Sequence, residues 1–348
     1  MQFSATVTTV TREAIVPKVY DIALSGNVGL MRLLGNSKPW PSGFRYDVIL
    51  KFQASSAGGI VGVGGTLDTS RTVTRVRAQF EPQRLHKPVV IDDIEIAVNE
   101  GDKRVLELLA VEMDSIAQDL ANDLGQYLYT GTGAAGLSFD SLDNAADDST
   151  NYATYGTLAR ATYAGLNGSY TATIGALQLS DLTTTDDAVT IGSEGPSLIL
   201  TTPAVWTAYE ALLNPTVQLS YTSAGYPQVT REGRVPTREA LRGQAGFDSV
   251  FFRGTPMVKD ERCTAQRAYF VNEKYFGWKG LDLPKMEKVS RPGATIDGPQ
   301  SMPIPKGANW SGMMSSPTQP AEVGHFYFVG NFISEAPRYL GQLRGITG

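Results

Sequence analysis

This chain is poor in the residues that most enzyme and metal centres are built from. It has one cysteine, Cys263, so an intramolecular disulfide framework and any cysteine-cluster metal site are excluded. It has two histidines, His86 and His325, which leaves little for histidine-rich metal sites or proton relays. No window approaches 18 consecutive apolar residues, so no membrane span is expected. The opening Met1-Gln2-Phe3-Ser4-Ala5-Thr6-Val7-Thr8 has neither a basic start nor an apolar core, and no signal peptide is read from it. Positive charge is not in excess either. The 30 Lys and Arg against 35 Asp and Glu leave a net charge of −5, which argues against a broad basic face that grips nucleic acid. With a lone cysteine and no export signal, the sequence implies folding in a reducing cytoplasm.

Hydrophobic residues make up 42% of the 348 and charged residues 19%, enough for a substantial core and too apolar for wholesale disorder. The length suits about two domains. The 36 glycines exceed the usual share and imply many turns.

Residues 1–43 read as an arm. The apolar positions of Pro17–Leu24, then Val28, Leu30, Met31, Leu33 and Leu34, suit one or two short amphipathic helices broken near Gly26 and Gly29, and Pro39, Pro41 and Gly43 stop any helix. Such an arm has too little apolar surface for its own core and must lie on something else. The period then changes. Phe44, Tyr46, Val48 and Leu50 alternate with polar residues, as do Thr74, Val76, Ala78 and Phe80. Between them lies a tip with Gly58, Gly59, Gly62, Gly64 and Gly65. Two matched strands around a glycine-rich tip predict a long β-hairpin, which alone is marginal in water and needs support from another surface.

Lys87–Val98, with Val89, Ile91, Ile94 and Ile96, reads as a further strand. Asn99 is a candidate helix cap. Leu106, Leu109, Met113, Ile116, Leu120, Leu124 and Leu128 then recur at steps of three and four until Gly131, predicting a rod of roughly 45 Å. Residues 132–151 are small and acidic and read as a solvated loop. A second helix is expected across Leu158–Leu166, and residues 168–197 read as a Thr- and Gly-rich loop. Strand and helix alternate from Ser197: Leu198-Ile199-Leu200 as a strand, a helix capped by Thr202 with Pro203 at its first position and ended by Asn214-Pro215, and strands at Phe251-Phe252, Met257-Val258, Ala268–Val271 and Phe326–Val329. The stretch 290–320 is proline-rich and reads as irregular.

No chemical constellation emerges. No Gly-Lys-Ser/Thr follows the glycine-rich tip and no helix opens after it, so it is no phosphate loop. Gly-x-Ser-x-Gly does not occur. His86 and His325 read as strand-end residues, and Cys263, beside Asp260 and Glu261, as a blunted structural thiol. Asp140, Asp143, Asp147 and Asp148 lack the glycine and closing glutamate of a calcium loop. No catalytic, cofactor or metal residues are assigned.

The order of the parts resembles the major capsid proteins of tailed bacteriophages, the Hong Kong 97-type fold. Val16-Pro17-Lys18-Val19-Tyr20-Asp21 and Pro39-Trp40-Pro41-Ser42-Gly43 are similar to the arm of one group of phage coat proteins. Phe44–Phe80 resembles the family's extended loop, and Asn99–Tyr129 its spine helix. Leu142–Asp147 with Tyr155–Arg160, Gly254–Asp260 with Tyr269–Asn272, and the closing Gly330-Asn331-Phe332, Pro337-Arg338 and Gly341-Gln342-Leu343 match later segments. The resemblance implies an α+β chain with an N-terminal arm (1–43), an extended β-hairpin loop (44–85), a peripheral domain (86–195) with a spine helix (99–130), and an axial domain (196–348).

The function it implies is structural rather than enzymatic: self-assembly as pentamers and hexamers into an icosahedral shell around double-stranded DNA. The location would be the virion, after assembly in the host cytoplasm. Because the chain reaches its arm almost at once, either a separate scaffolding protein or a removed scaffolding segment is expected, with a portal and a decoration protein as further partners, and no membrane or cofactor. Arg45, Asp47, Lys51, Asp68, Arg71, Arg75 and Arg77 on the hairpin, and Pro17, Tyr20 and Trp40 in the arm, are the expected inter-subunit contacts. The family's loop lysine has no counterpart between Ala54 and Thr66, so no covalent cross-linking is expected. A mildly acidic lining also suits a shell that must release its DNA. Competing readings are an encapsulin-like nanocompartment, an α/β enzyme, and a surface-adhesion or tail-tube protein.

Overall fold

The computed structural model describes residues 27–41, 43–98, 102–133, 138–213, 250–283, 287–288, 306–316 and 320–347. Pro17, Tyr20, Gly26, Asn99 and Asn214-Pro215 lie outside them. Helix α1 (Val28–Gly35) and strand β1 (Lys38–Pro39) open the described chain, followed by β2 (Tyr46–Lys51), β3 (Arg75–Phe80) and β4 (Gln83–Asp92). Helices α2 (Asp93–Val98), α3 (Asp102–Thr130) and α4 (Leu142–Ala145) come next. Then follow β5 (Thr154–Tyr155), β6 (Leu158–Ala159), β7 (Ser169–Thr171), β8 (Gly175–Ala176), α5 (Leu179–Val189), β9 (Leu198–Thr201) and α6 (Pro203–Leu213). The last part is nearly all strand: β10 (Val250–Phe252), β11 (Thr255–Lys259), β12 (Arg267–Val271), β13 (Phe276–Gly280), β14 (Glu287–Lys288), β15 (Ala308–Trp310), β16 (Met314–Ser315), β17 (Ala321–Ser334), β18 (Gly341–Arg344) and β19 (Ile346–Thr347).

Two sheets organise these elements. In the first, β17 is the axis: the sheet runs β1-β13-β17-β15-β14, and β4 and β16 also pair with β17. The β4 ladder is ten residues long, from Gln83 opposite Gly330 to Asp92 opposite Ala321. The inner face of this sheet carries Phe326, Phe328, Phe332, Trp278, Val89 and Ile91, all fully buried. Leu109, Met113, Leu120, Leu124 and Leu128 of α3 share that core, which is why a stripe at steps of three and four became a 29-residue helix. Trp278 sits at its centre, 4.9 Å from Phe332 and 5.6 Å from Phe139. The second sheet runs β10-β11-β9-β12-β18-β7. Leu182 and Val189 of α5 and Val205, Trp206 and Tyr209 of α6 cover it over Ile199, Met257, Phe270 and Leu343.

Several expectations are corrected. Lys87–Val98 is not one strand: β4 ends at Asp92 and α2 begins at once, with Asp92 Oδ1 accepting from the Ile94 amide at 2.8 Å. Leu158–Leu166 is not a helix. A two-stranded turn (β5, β6) and one 3-10 turn at Ala164–Leu166 occupy it, reversed by Gly156 and Thr157 at positive φ. Residues 168–197 are not all loop, since α5 lies there behind a Gln178/Asp181 capping box. The irregular stretch also contains β15 and β16. Gly29 does not interrupt α1 but lies within it. A Cβ there would stand 2.7 Å from Asp260 Oδ2 and 2.8 Å from the Tyr129 hydroxyl, so only glycine lets α1 lie this close to α3 and β11.

Candidate functional site

The β2–β3 hairpin is firmly rooted and bare at its tip. At the root, Val48, Ala78 and Phe80 face the core, and Phe80 meets Tyr155 edge-to-face at 5.1 Å. The Gln79 amide donates to the Gly156 carbonyl at 2.8 Å. Gly156, at φ +55°, has the Ala78 and Phe80 side chains where a Cβ would point. A polar clamp adds to this. The Tyr46 hydroxyl donates to Glu335 Oε1 at 3.0 Å, Lys279 Nζ donates to the same oxygen at 2.6 Å, and the ammonium lies 5.5 Å from the Tyr46 ring centre. Burial and the Glu335 charge push the Tyr46 phenol up to about 12. Burial alone would raise the Glu335 carboxylate, but the bond and charge from Lys279 outweigh it and hold it below its ordinary value.

Beyond Lys51 and Arg75 the ladder stops. Phe52 N to Thr74 O at 3.1 Å, Gln53 Nε2 to Val73 O at 2.7 Å and the Ser56–Thr72 hydroxyl pair at 2.9 Å keep the two limbs together. Phe52 rests edge-to-face on Tyr163 at 5.1 Å. Past that point the chain is exposed.

The expected contact residues divide into two groups. Arg45 pairs within the chain with Glu81 (3.0 Å) and Gln79 (3.2 Å), and Arg77 with Asp47 (3.7 Å). Asp68 is turned inward on its own loop, accepting from the Ser70 amide at 2.8 Å. Lys51 and Arg75, opposite each other in the ladder, and Arg71 are exposed and make no ion pair among the described residues. Trp40 departs from expectation. It is buried, its indole donates to the Gly43 carbonyl at 3.3 Å, and it packs on Tyr46 at 5.5 Å, so it serves the root of its own hairpin rather than a free surface.

Reasoning from charge missed the apolar residues of the tip. Ile60 and Val63 are 106% and 112% exposed, Leu67 and Val73 72% and 69%, and Ile49, back on β2, 64%. Apolar side chains set among glycines at Gly59–Gly64 were the available signal. So many exposed on one projection mark an interaction surface.

The acidic segment is not a solvated loop. Asp140, Asp143 and Asp147 are buried. Asp147 accepts from the amides of Ser149, Asn151 and Tyr152 at 3.0–3.1 Å. Arg160, wholly buried, donates to the carbonyls of Asp147 (2.7 Å), Leu166 and Asn144. Asp140 accepts from Asn331 Nδ2 at 2.8 Å and Asn144 Nδ2 at 3.2 Å. Burial pushes its carboxyl up to about 6, the two amides and Arg160 only partly opposing it. The folded state therefore holds this proton more tightly than the unfolded chain. Its contribution is largest below pH 4 and is lost as pH rises through 6. Compared with Asp140→Asn, the wild type should lose up to about 3 kcal/mol more stability between pH 4 and pH 7 in urea unfolding. Identical pH dependence in the two proteins would refute this.

Cys263 is buried, and burial and then Asp260 hold its thiol well up, which removes it as a nucleophile. Among the described residues no group of three or more His, Cys, Asp or Glu is placed to hold a metal ion, and no helix is long and apolar enough to cross a membrane.

No protein-family model matches the sequence, and no curated protein matches it. Solved structures do. The chain of the cyanophage A-1(L) capsid asymmetric unit aligns at a TM-score of 0.62 and 17% identity, over 92% of this chain and 93% of that one. The chain has a phage-capsid fold. The capsids of the empty and native GTA (gene transfer agent) particles align at 0.52 and 0.50, with 12% and 10% identity, over 92% and 88% of this chain and 90% and 86% of theirs. At such identities the fold is shared as a backbone path, with few residues in common.

Proposed function

We propose that this chain is the major capsid subunit of a tailed phage, assembling as pentamers and hexamers into an icosahedral shell around double-stranded DNA. The observation that carries the reading is a phage-capsid fold with a hairpin locked at its root and apolar at its free tip. A subunit with no neighbours gains nothing from Ile60 and Val63 in water. In a closed lattice each tip is buried by a neighbour, and many such contacts reinforce one another.

In this reading residues 1–43 are the arm and 44–85 the extended loop of a Hong Kong 97-type subunit, with α3 as the spine of the peripheral domain. Strands β13 to β17 share the α3 sheet, so the peripheral domain takes them from the 196–348 range, and the axial domain keeps the second sheet. Lys51, Arg71 and Arg75 are the charges left for partners. A scaffolding protein, a portal and a decoration protein complete the expected set, with the virion as the final location.

Negative-stain electron microscopy with light scattering on the purified chain tests this. Closed shells, or rings of five and six, are the expected result. Packaged nucleic acid marks a virus, and a cargo enzyme in its place would mark a nanocompartment. Dimers alone, at high concentration and with scaffold added, would overturn the proposal.

A further inference from the structure

The chain's two histidines, far apart in sequence, meet in the fold. In the β4–β17 ladder His86 lies opposite Tyr327 and Pro88 opposite His325, which makes the histidines diagonal neighbours on one face. Their ring centres are 6.2 Å apart at an interplanar angle of 60°. His86 is exposed and His325 half-buried. Nδ1 of His325 is buried and has no hydrogen-bond partner. With Nδ1 enclosed, Nε2 is the ring nitrogen through which His325 can reach an ion from solvent.

Two cations flank the pair, each engaged by another group. Lys87 is turned away to Asp123 at 2.7 Å. Arg84 lies over the Tyr327 ring at 5.5 Å, so its charge is partly engaged there. Two imidazoles on one tetrahedral ion, with metal–nitrogen bonds near 2.0–2.1 Å, have ring centres about 5 Å apart. A side-chain rotation of the exposed His86 can close the remaining gap of about 1 Å, because both residues stand on a rigid ten-residue ladder. We propose that His86 and His325 form a two-histidine chelate for a divalent metal ion of borderline softness, with Zn²⁺ as the type and solvent completing its coordination.

Isothermal titration of the unassembled full-length chain with ZnCl₂ at neutral pH tests this, and it requires no shell. The expected result is one saturable site per chain that weakens about tenfold or more in His86→Gln. Loss of an outer-shell partner alone costs about 10–100-fold in comparable sites, and loss of a ligand costs at least as much. His325→Gln should weaken binding similarly. If that variant misfolds, His86→Gln, on the exposed side, still decides the matter, with circular dichroism checking its fold. Absence of saturable binding in the wild type, or binding unchanged in His86→Gln, would overturn the proposal. Neither result bears on shell assembly.

Discussion

Replacing Ile60 and Val63 together by aspartate should leave the subunit folded and abolish shell formation. Both side chains are fully exposed on the hairpin tip. Surface substitutions of this kind change stability by about 0.5 kcal/mol or less. In an assembled lattice the account changes. Each buried aliphatic side chain is worth about 1.5–3 kcal/mol, and an unpaired carboxylate in its place adds a desolvation cost of several more. Because every subunit repeats the contact, even the lower figure raises the concentration needed for assembly by orders of magnitude. The root is untouched: Tyr46, Glu335 and Lys279 hold the hairpin from the far end. Thermal melts of the unassembled subunit, with scattering and microscopy over a concentration series, separate the two effects. Assembly at the wild-type concentration would show that the tip is not an interface. A lowered melting point would show that it packs on its own chain.

Where sequence reasoning succeeded, the signal was local and repeated. The α3 stripe from Leu109 to Leu128 spans several turns, so one face had to be buried whatever covered it. The alternation in Tyr46–Lys51 and Arg75–Phe80 likewise fixed a paired hairpin with Val48, Ala78 and Phe80 inward. It failed where the deciding partner was distant. Asp140 and Asp143 look like solvated loop carboxylates until Asn331, Arg267 and Arg344 arrive from strands far along the chain. Nothing in their spacing announces those partners. The α2 error differs, because its signal was present. Asp92 and Glu95 form a reciprocal cap, Glu95 accepting from the Asp92 amide at 3.3 Å, but the isoleucines at 91, 94 and 96 suggested a continuous strand. Trp40 was misplaced because a tryptophan between prolines looks free, whereas its partner Tyr46 lies just beyond the turn.

Asp143→Ala is expected to cost the unassembled subunit about 3–5 kcal/mol, the price of leaving buried cations unpaired. Asp143 Oδ1 accepts from Arg267 and, at 2.8 Å, from Arg344. The Tyr269 hydroxyl donates to the same oxygen at 3.1 Å, and the Tyr152 hydroxyl to Oδ2 at 3.2 Å. The carboxylate is nearly sealed, and the guanidiniums are only 22% and 15% exposed, so water cannot replace it well. Burial and then the Asp143 charge push the Tyr152 phenol up to about 12. The position explains the size of the effect. Asp143 lies in α4, whose Leu142 and Ala145 belong to the α3 core, while Arg267 and Arg344 stand on β12 and β18 of the second sheet. One carboxylate thus ties α4, and with it the α3 core, to the second sheet, and its loss weakens that joint as well as the pair. Urea unfolding should show a lower midpoint for Asp143→Ala, with part of the loss recovered in Asp143→Ala/Arg344→Met, where one stranded cation is gone. A shift worth less than about 1 kcal/mol would mean that the cluster behaves as a solvated surface pair. Since whole domains are stable by only about 5–15 kcal/mol, the predicted loss is enough to starve assembly of folded subunits, even though Asp143 itself is buried inside the subunit.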